Sequence, residues 1–215
     1  MIFKNRVDAG QKLVEKLKQY KDQKETLILA LPRGGVVVAF EVAKALNLPL
    51  DLVVPRKIGA PFNEEYAIGA ITETGEGIFD LEAIASLKVT KDYLDKKVAE
   101  EKNEAERRLK AYRQDRPPLN LEYKTVIIVD DGIATGLTMR AAIKSVKEKK
   151  AKKIIVAVPT SAKDSLQTIK NETDEVICLD TPLFFGAVGA FYQEFGQTTD
   201  EEVIELMKKS KDFGS

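Results

Sequence analysis

The stretch that most constrains the fold is residues 126–138, where four β-branched apolar residues precede two acids and a loop of small and hydroxyl-bearing residues. The apolar run predicts a strand of a parallel sheet that is buried on both faces. Asp130 and Asp131 follow at the C-terminal end of that strand, where open α/β sheets bind their ligands. The glycine-bearing loop opens a helix predicted over about 138–147, and its backbone N–H groups suit a phosphate. These features predict a ligand with sugar hydroxyls and a phosphate ester.

A second unit of strand, glycine loop and helix lies earlier in the chain. A strand is predicted over 26–30 and a helix over 36–46, with Arg33, Gly34 and Gly35 in the loop between them. Adjacent glycines adopt backbone conformations that other residues avoid. The guanidinium of Arg33 offers a fork of donors that matches phosphate oxygens. Because both loops follow parallel strands, we expect them at the same rim of the sheet.

A basic pair, Arg56 and Lys57, follows the next predicted strand, residues 51–55. At the C-terminal end of that strand the two cations would face the same rim and would neutralise a pyrophosphate group. A solvated strand end is the alternative for this pair.

The other predicted elements complete an α/β pattern. Helices are predicted over 1–20, 90–116 and 200–207, and strands over 67–73, 77–80, 153–158 and 175–179. Thr160 and Ser161 end one of these strands, and we expect them to cap the helix that begins near Ala162 rather than to bind the ligand. The alternation predicts a mainly parallel sheet flanked by helices, in one domain over residues 1–215.

Composition excludes several classes of function. The 34 basic and 34 acidic residues are interleaved and balance each other, which argues against a nucleic-acid partner. The chain has no histidine, which excludes histidine triads, histidine metal ligands and histidine acid–base chemistry. The single cysteine, Cys178, lies in an apolar run and is predicted to be a buried strand residue. No apolar run is long enough to span a bilayer, so we expect a cytoplasmic protein with no membrane partner.

The stretch 126–138 resembles the phosphoribosyl pyrophosphate (PRPP) binding motif of the type I phosphoribosyltransferases, which has four apolar residues, an acidic pair, two residues and then Ala-Thr-Gly-x-Thr. The resemblance implies that Asp130 and Asp131 hold the ribose hydroxyls. Gly132 departs from the family, which usually has an apolar residue or serine there. Ala134 stands where some 6-oxopurine enzymes of the family carry an acid, so that substrate class is disfavoured, whereas adenine-like chemistry stays open.

The resemblance also implies a reaction, in which the 5-phosphoribosyl group of PRPP passes to a nitrogenous acceptor and pyrophosphate is released. Mg²⁺ would bind mainly through PRPP and water, with no metal site made of protein ligands alone. The implied catalytic residues are Asp130, Asp131, Arg33 and Lys57. The implied PRPP-binding residues are Arg33, Gly34, Gly35, Arg56, Lys57, Asp130, Asp131, Ala134, Thr135, Gly136, Leu137 and Thr138.

Two segments outside the core complete the implied enzyme. Residues 58–118 would form a flap and a helical arm, and residues 181–215 would form a C-terminal hood (181–196) and a closing helix. Phe184, Phe185 and Tyr192 of the hood would stack on the acceptor, although core or dimer-contact roles are equally open for each. The arm, together with the oligomeric state that is usual in the family, implies a homodimer.

Two other classes of function stay open at this point. One is a regulator that binds PRPP and catalyses nothing, and the other is an enzyme of this fold with different chemistry, such as PRPP hydrolysis or use of a ribose-1-phosphate. The cationic set of Arg33, Arg56 and Lys57 has the size of a pyrophosphate site and favours PRPP. The sequence does not identify the acceptor.

Overall fold

A parallel sheet of five strands forms the centre of the fold, in a computed structural model that describes residues 1–72, 74–114 and 116–214. The strands in chain order are β1 (Thr26–Ala30), β2 (Leu50–Leu52), β3 (Arg56–Ala60), β4 (Asn63–Ile71), β5 (Gly77–Phe79), β6 (Thr125–Val129), β7 (Lys153–Thr160) and β8 (Glu175–Asp180). The helices are α1 (Arg6–Leu17), α2 (Gly34–Leu46), α3 (Leu81–Ser86), α4 (Lys91–Arg113), α5 (Leu137–Glu148), α6 (Lys163–Glu172) and α7 (Asp200–Lys209). Within the described residues, none of these helices is long and apolar enough to cross a membrane.

The central sheet has the strand order β2-β1-β6-β7-β8, and every neighbouring pair runs parallel. Ile28 lies opposite Ile127, which lies opposite Ile155, and all three are fully buried. Side chains alternate between the two faces of a sheet along each strand. These isoleucines pack with α1, α2 and α7 on one face, and their neighbours on the same strands pack with α5 and α6 on the other face. The predicted α/β fold, a mainly parallel sheet flanked by helices, is confirmed.

A smaller antiparallel sheet, β3-β4-β5, follows strand β2 in the chain. Its buried residues Ile58, Ile68 and Ile71 pack with α3 and with the first half of α4. Helix α4, the predicted arm, lies against β2, β3 and α7 of its own chain. The strand predicted over 67–73 is part of β4, and its last residue, Glu73, lies outside the described residues.

The predicted position of the basic pair is wrong. The strand predicted over 51–55 is only Leu50–Leu52, and Arg56 and Lys57 begin strand β3 of the smaller sheet. The chain therefore leaves the central sheet earlier than the apolar run suggested. The pair does not end a central strand beside the two glycine loops.

The predicted capping role at the end of β7 is also wrong. The N-cap of α6 is Ala162, which makes no side-chain hydrogen bond to the helix. Thr160 and Ser161 are both fully buried, and the hydroxyl of Ser161 donates to the carbonyl of Ala162. The buried hydroxyl of Thr160 makes no hydrogen bond within the described part of the chain, so neither residue caps the helix.

Cys178 lies in β8 at the edge of the central sheet and is half-buried rather than buried. Burial raises the pKa of its thiol, so the thiol stays protonated at neutral pH. The prediction that Cys178 is a strand residue is confirmed, and the prediction that it is buried is wrong.

A buried ion pair joins α4 to the central sheet. Arg113 donates from Nε to Oδ1 of Asp51 at 2.7 Å and from Nη2 to Oδ2 at 2.9 Å. Asp51 is 4% exposed, and its Oδ2 also accepts the backbone N–H of Leu119. Because the pair is bidentate and enclosed, loss of one partner would leave a buried charge without compensation.

We expect Arg113→Met to lower the free energy of unfolding by about 3–5 kcal/mol, because Asp51 would stay buried without its counter-charge. The matched control is Arg107→Met in the same helix, whose side chain is 57% exposed and whose loss should leave stability nearly unchanged. Urea denaturation measures both variants. Equal effects of the two substitutions would contradict the structural role of the buried pair.

Candidate active site

The acidic pair lies where strand β6 ends, as the motif predicts. The carbonyl of Val129, the last residue of the strand, accepts the N–H of Leu31 at 3.0 Å, so the chain leaving β1 passes beside it. The backbone N–H of Asp131 donates to Oδ1 of Asp130 at 2.8 Å. The side chain of Asp131 is only 15% exposed. The two carboxylates are thus held close together and largely covered.

Gly34 and Gly35 bring the first glycine loop into contact with this pair. A Cβ at Gly34 would lie 2.0 Å from Oδ2 of Asp131, and a Cβ at Gly35 would lie 2.7 Å from Oδ1 of Asp130. A larger residue at either position would therefore displace a carboxylate. Both glycines are required for this close approach, and the structure brings together the two loops that the sequence singled out.

Two adjacent enclosed carboxylates disfavour each other's charge. Burial, followed by the charge of Asp131, raises the pKa of Asp130 well above its usual value. Burial also raises the pKa of Asp131, but the guanidinium of Arg6 opposes that rise. The two acids titrate as a coupled pair, and as the pH rises Asp130 retains its proton more readily than Asp131 does.

Arg6 is a residue of this site that the sequence did not reveal. It is the first residue of α1, and its Nε donates to Oδ2 of Asp131 at 2.7 Å. Its Nη1 donates to the carbonyl of Gly196 at 2.7 Å, and its guanidinium carbon lies 3.9 Å from the ring centre of Phe195. An arginine in the first turn of an amphipathic helix resembles any exposed cation, so no local pattern could have identified it.

The hood, residues 181–196, is joined to the N-terminal end of the chain. The backbone N–H of Phe3 donates to the carbonyl of Phe191 at 2.8 Å, and the N–H of Gln193 donates to the carbonyl of Phe3 at 2.9 Å. Phe3 also packs with Phe191 and Tyr192 in a small buried cluster. The segment that precedes α1 is therefore part of the same cover over the acidic pair.

Tyr192 does not have the acceptor-binding position that was predicted. It is 6% exposed, and its ring packs against Phe3 and Phe195 with ring centres 5.4 Å and 5.0 Å away. Its hydroxyl donates to the backbone carbonyl of Asp131. Burial raises the pKa of this phenol, which keeps it protonated as a donor. Because its ring is enclosed, Tyr192 supports the backbone of the acidic pair and offers no free face for stacking.

The other two aromatic residues of the hood are more accessible. Phe184 is 90% exposed, and Phe185 is half-buried with its ring stacked on Phe191 at 5.0 Å between centres. Stacking on a flat heterocycle is geometrically open to Phe184 and to the outer part of Phe185.

The hood explains why this chain has glycine at position 132, where the resembled family usually has an apolar residue or serine. A Cβ at this position would lie 2.6 Å from Cγ1 of Val188 and 3.2 Å from Cγ2 of Thr160. The side chain of Val188 therefore occupies the space that an apolar residue or serine would fill. Glycine at this position admits the hood close to the acidic pair.

The second glycine loop forms the turn that begins α5. Gly136 is the N-cap of this helix and has φ of +79°, a conformation that favours glycine. The hydroxyl of Ser165 donates to the carbonyl of Ala134 at 2.5 Å and holds the loop against α6. The partly or fully exposed residues of the loop are Ala134, Thr135, Leu137 and Thr138. The free N–H groups and the positive end of the helix dipole suit a phosphate at this point.

Arg33 follows a cis peptide bond with Pro32 and lies at the N-cap of α2. Its Nη1 is 3.4 Å from Oδ1 of Asp200, and the same oxygen accepts the hydroxyl of Tyr112 at 2.7 Å. Tyr112 is 1% exposed, and burial raises its pKa to about 12. Helices α4 and α7 thus position this arginine. The sequence alone did not indicate that these two helices contact it.

Arg56 and Lys57 begin β3 of the smaller sheet and do not end a strand of the central sheet. The guanidinium of Arg56 contacts Glu101 of α4 through Nε and Nη2, both at 2.7 Å. Lys57 is half-buried on the same strand. The structure therefore engages Arg56 with an acid of the arm rather than presenting it at the acidic pair.

A cavity of about 510 Å³ lies between the smaller sheet and the second glycine loop. Tyr66 and Phe79 line it from the smaller sheet, and Thr135 and Arg140 line it from the loop and α5. The acidic pair does not line this cavity. Open space therefore adjoins the second glycine loop, whereas Arg6, the hood and the first glycine loop cover the acids.

We expect Asp130→Asn to stabilise the protein at neutral pH. The substitution keeps an oxygen acceptor for the N–H of Asp131 but removes a charge from the buried pair. Because burial raises the folded-state pKa of Asp130, wild-type stability falls as the pH rises from the unfolded-state pKa through the folded-state pKa. The variant should gain about 1 kcal/mol or more near pH 8, and the gain should vanish near pH 3.

Urea denaturation at both pH values measures this effect. Asp164→Asn, which removes an exposed acid of α6, is the matched control and should show no such gain. A gain that is the same at the two pH values would show that the ionisation of Asp130 is not the cause.

The chain matches the family model described as the phosphoribosyl transferase domain over residues 1–193. It is 40% identical over 213 residues to two Mycobacterium tuberculosis proteins, MT0597 and Rv0571c, both named provisionally as phosphoribosyl transferases. These alignments cover 99% of this chain and 48% of each relative, so the chain spans about half the length of those relatives.

Two solved structures share the architecture. The crystal structure of TT1426 from Thermus thermophilus is similar with a TM-score of 0.80 and 38% sequence identity, over 97% of this chain and 99% of that chain. The AQ2163 protein from Aquifex aeolicus has a TM-score of 0.51 at 15% identity, over 82% and 74% of the two chains, which shows a common fold. With the family model and the two relatives, these findings establish that this chain belongs to the phosphoribosyl transferase domain family.

Proposed function

We propose that this protein is a phosphoribosyltransferase that binds PRPP with Mg²⁺ and transfers the 5-phosphoribosyl group to a nitrogenous acceptor, releasing pyrophosphate. The observation that carries the proposal is the direct packing of Gly34 and Gly35 against Asp131 and Asp130. A pyrophosphate at the first glycine loop and a ribose at the acids would then be neighbours, as they are within PRPP. Membership of the family supports the same reaction.

In the proposed reaction, the bond between C1 of the ribose and a pyrophosphate oxygen breaks, and a bond from C1 to the acceptor nitrogen forms. Pyrophosphate leaves with the bonding electron pair, and the acceptor nitrogen gives up its proton. Asp130 and Asp131 hold the ribose hydroxyls and offset positive charge at C1. The first turn of α5 anchors the 5′-phosphate, and Arg33 with the loop amides binds the pyrophosphate, so that binding energy orients the sugar.

We propose that Mg²⁺ binds at this site together with the substrate. Among the side chains that the structure describes, no group of three or more histidine, cysteine or acidic residues could hold a metal ion on its own. Asp130 and Asp131 offer oxygen ligands of the kind that Mg²⁺ prefers. We therefore propose that Mg²⁺ binds through PRPP and water beside the pair, where it would neutralise the leaving pyrophosphate.

The acceptor is proposed to be a small nitrogenous compound that the hood selects. Phe184 and Phe185 are the candidates for stacking on it, because their rings are more accessible than that of Tyr192. Ala134 is exposed at the phosphate loop and supplies no acid, which continues to disfavour 6-oxopurines. A cytoplasmic homodimer remains the expectation for the intact protein.

Calorimetric titration of PRPP with and without Mg²⁺ tests the proposal. We expect binding that requires Mg²⁺ and that falls at least about 100-fold in the Asp130→Asn/Asp131→Asn double variant, because charged hydrogen bonds to the ribose are lost. The exposed-acid variant Asp164→Asn is the control and should bind PRPP as the wild-type protein does.

Pyrophosphate release with a panel of nitrogenous bases then separates the open alternatives. Release that requires a base supports transfer, release without a base indicates PRPP hydrolysis, and binding without release indicates a regulator. Failure of the folded wild-type protein to bind PRPP would overturn the proposal.

A further inference from the structure

The guanidinium of Arg6 joins parts of the molecule that are far apart in the chain. It donates to Asp131, which is 125 positions away, and to the carbonyl of Gly196, which is 190 positions away. It also lies over the ring of Phe195. A Cβ at Gly34 would be 2.7 Å from its Nε, so the first glycine loop is also in contact. One side chain thus touches the acidic pair, the glycine loop and the hood.

We propose that Arg6 is a positioning residue that orients the carboxylate of Asp131 for the ribose hydroxyls and links that orientation to closure of the hood. The inference rests on the proposed function, and it extends that function to a residue outside both glycine loops. Arg6 acts through Asp131 and through the hood, and it takes no part in bond making or breaking.

The contact of Arg6 with Asp131 leaves further acceptor positions on this carboxylate for the ribose hydroxyls. A carboxylate has about four acceptor positions, and Arg6 uses one of them, on Oδ2. The side chains of Arg6 and Asp131 are 12% and 15% exposed, so their attraction is screened less than that of a surface pair. The second hydrogen bond, to the carbonyl of Gly196, fixes the rotation of the planar guanidinium and therefore keeps its Nε directed at Oδ2 of Asp131.

The hood holds Asp131 at two points. Arg6 connects the carboxylate to Gly196 and Phe195, and Tyr192, which packs on Phe195, donates its hydroxyl to the backbone carbonyl of Asp131. Removal of the guanidinium would free the carboxylate from the hood but would leave the contact of Tyr192 with the backbone. The two links can therefore be separated by substitution at Arg6.

Calorimetric titration of PRPP measures the first effect. We expect Arg6→Gln to weaken PRPP binding roughly 10- to 100-fold, because a charge-assisted hydrogen bond that orients a binding group is lost. Arg6→Lys keeps the charge but not the fork, and should recover part of the affinity. Lys16→Gln removes an exposed charge from the same helix and should bind PRPP normally.

A double-variant cycle and hydrogen exchange separate positioning from a general effect on folding. If Arg6 acts through Asp131, Arg6→Gln should weaken binding little further once Asp131→Asn is present. PRPP should slow the exchange of backbone amides over residues 191–196 in the wild-type protein and in Lys16→Gln, and it should do so far less in Arg6→Gln. Both readouts are taken on the folded chain of 215 residues.

Losses that simply multiply in the double variant would overturn the inference, as would equal protection of the hood in Arg6→Gln and in the wild-type protein. In either case PRPP binding by the wild-type protein would leave the proposed function standing. If the wild-type protein does not bind PRPP, the proposed function is overturned and this inference with it.

Discussion

The burial of two adjacent carboxylates at the end of strand β6 is the constraint around which the rest of the site is built. Asp130 and Asp131 repel each other, and burial disfavours the charge of both. Arg6, the first glycine loop and the hood come from other parts of the chain and compensate for or enclose them. Arg6 supplies a cation to one carboxylate, and the backbone N–H of Asp131 donates to the other. The surrounding residues hold the two carboxylates close together although their charges are disfavoured. Such electrostatically unfavourable arrangements are common at ligand-binding sites.

The residues that surround the pair follow from the need for close approach. Glycine is required at positions 34 and 35 because a Cβ would meet the carboxylates, and at position 132 because the side chain of Val188 fills that space. The first glycine loop, the acids and the hood therefore interlock. A change at any of these positions would move a carboxylate or the hood, which explains why small residues are concentrated here.

The cover over the site is assembled from both ends of the described chain. Phe3 pairs with the hood through backbone hydrogen bonds, and Arg6 follows it at the start of α1. Asp200 of α7 lies 3.4 Å from Nη1 of Arg33 and also accepts the hydroxyl of Tyr112 of α4. Helix α4, the predicted arm, therefore supports the first glycine loop of its own chain through Asp200. The ion pair of Asp51 with Arg113 joins the same helix to the central sheet.

The sequence by itself determined the architecture and the centre of the site. Four β-branched residues, two acids and a glycine turn are local signals, and they predicted strand β6, the positions of Asp130 and Asp131, and helix α5, because such signals depend on neighbours in the chain. The tertiary structure alone decided the rest. Contacts between residues that are distant in the chain brought Arg6 to the acids, enclosed Tyr192 among other aromatic rings, and paired Arg56 with an acid of α4. No local period encodes such contacts, since burial and pairing depend on which distant segment packs against each side chain.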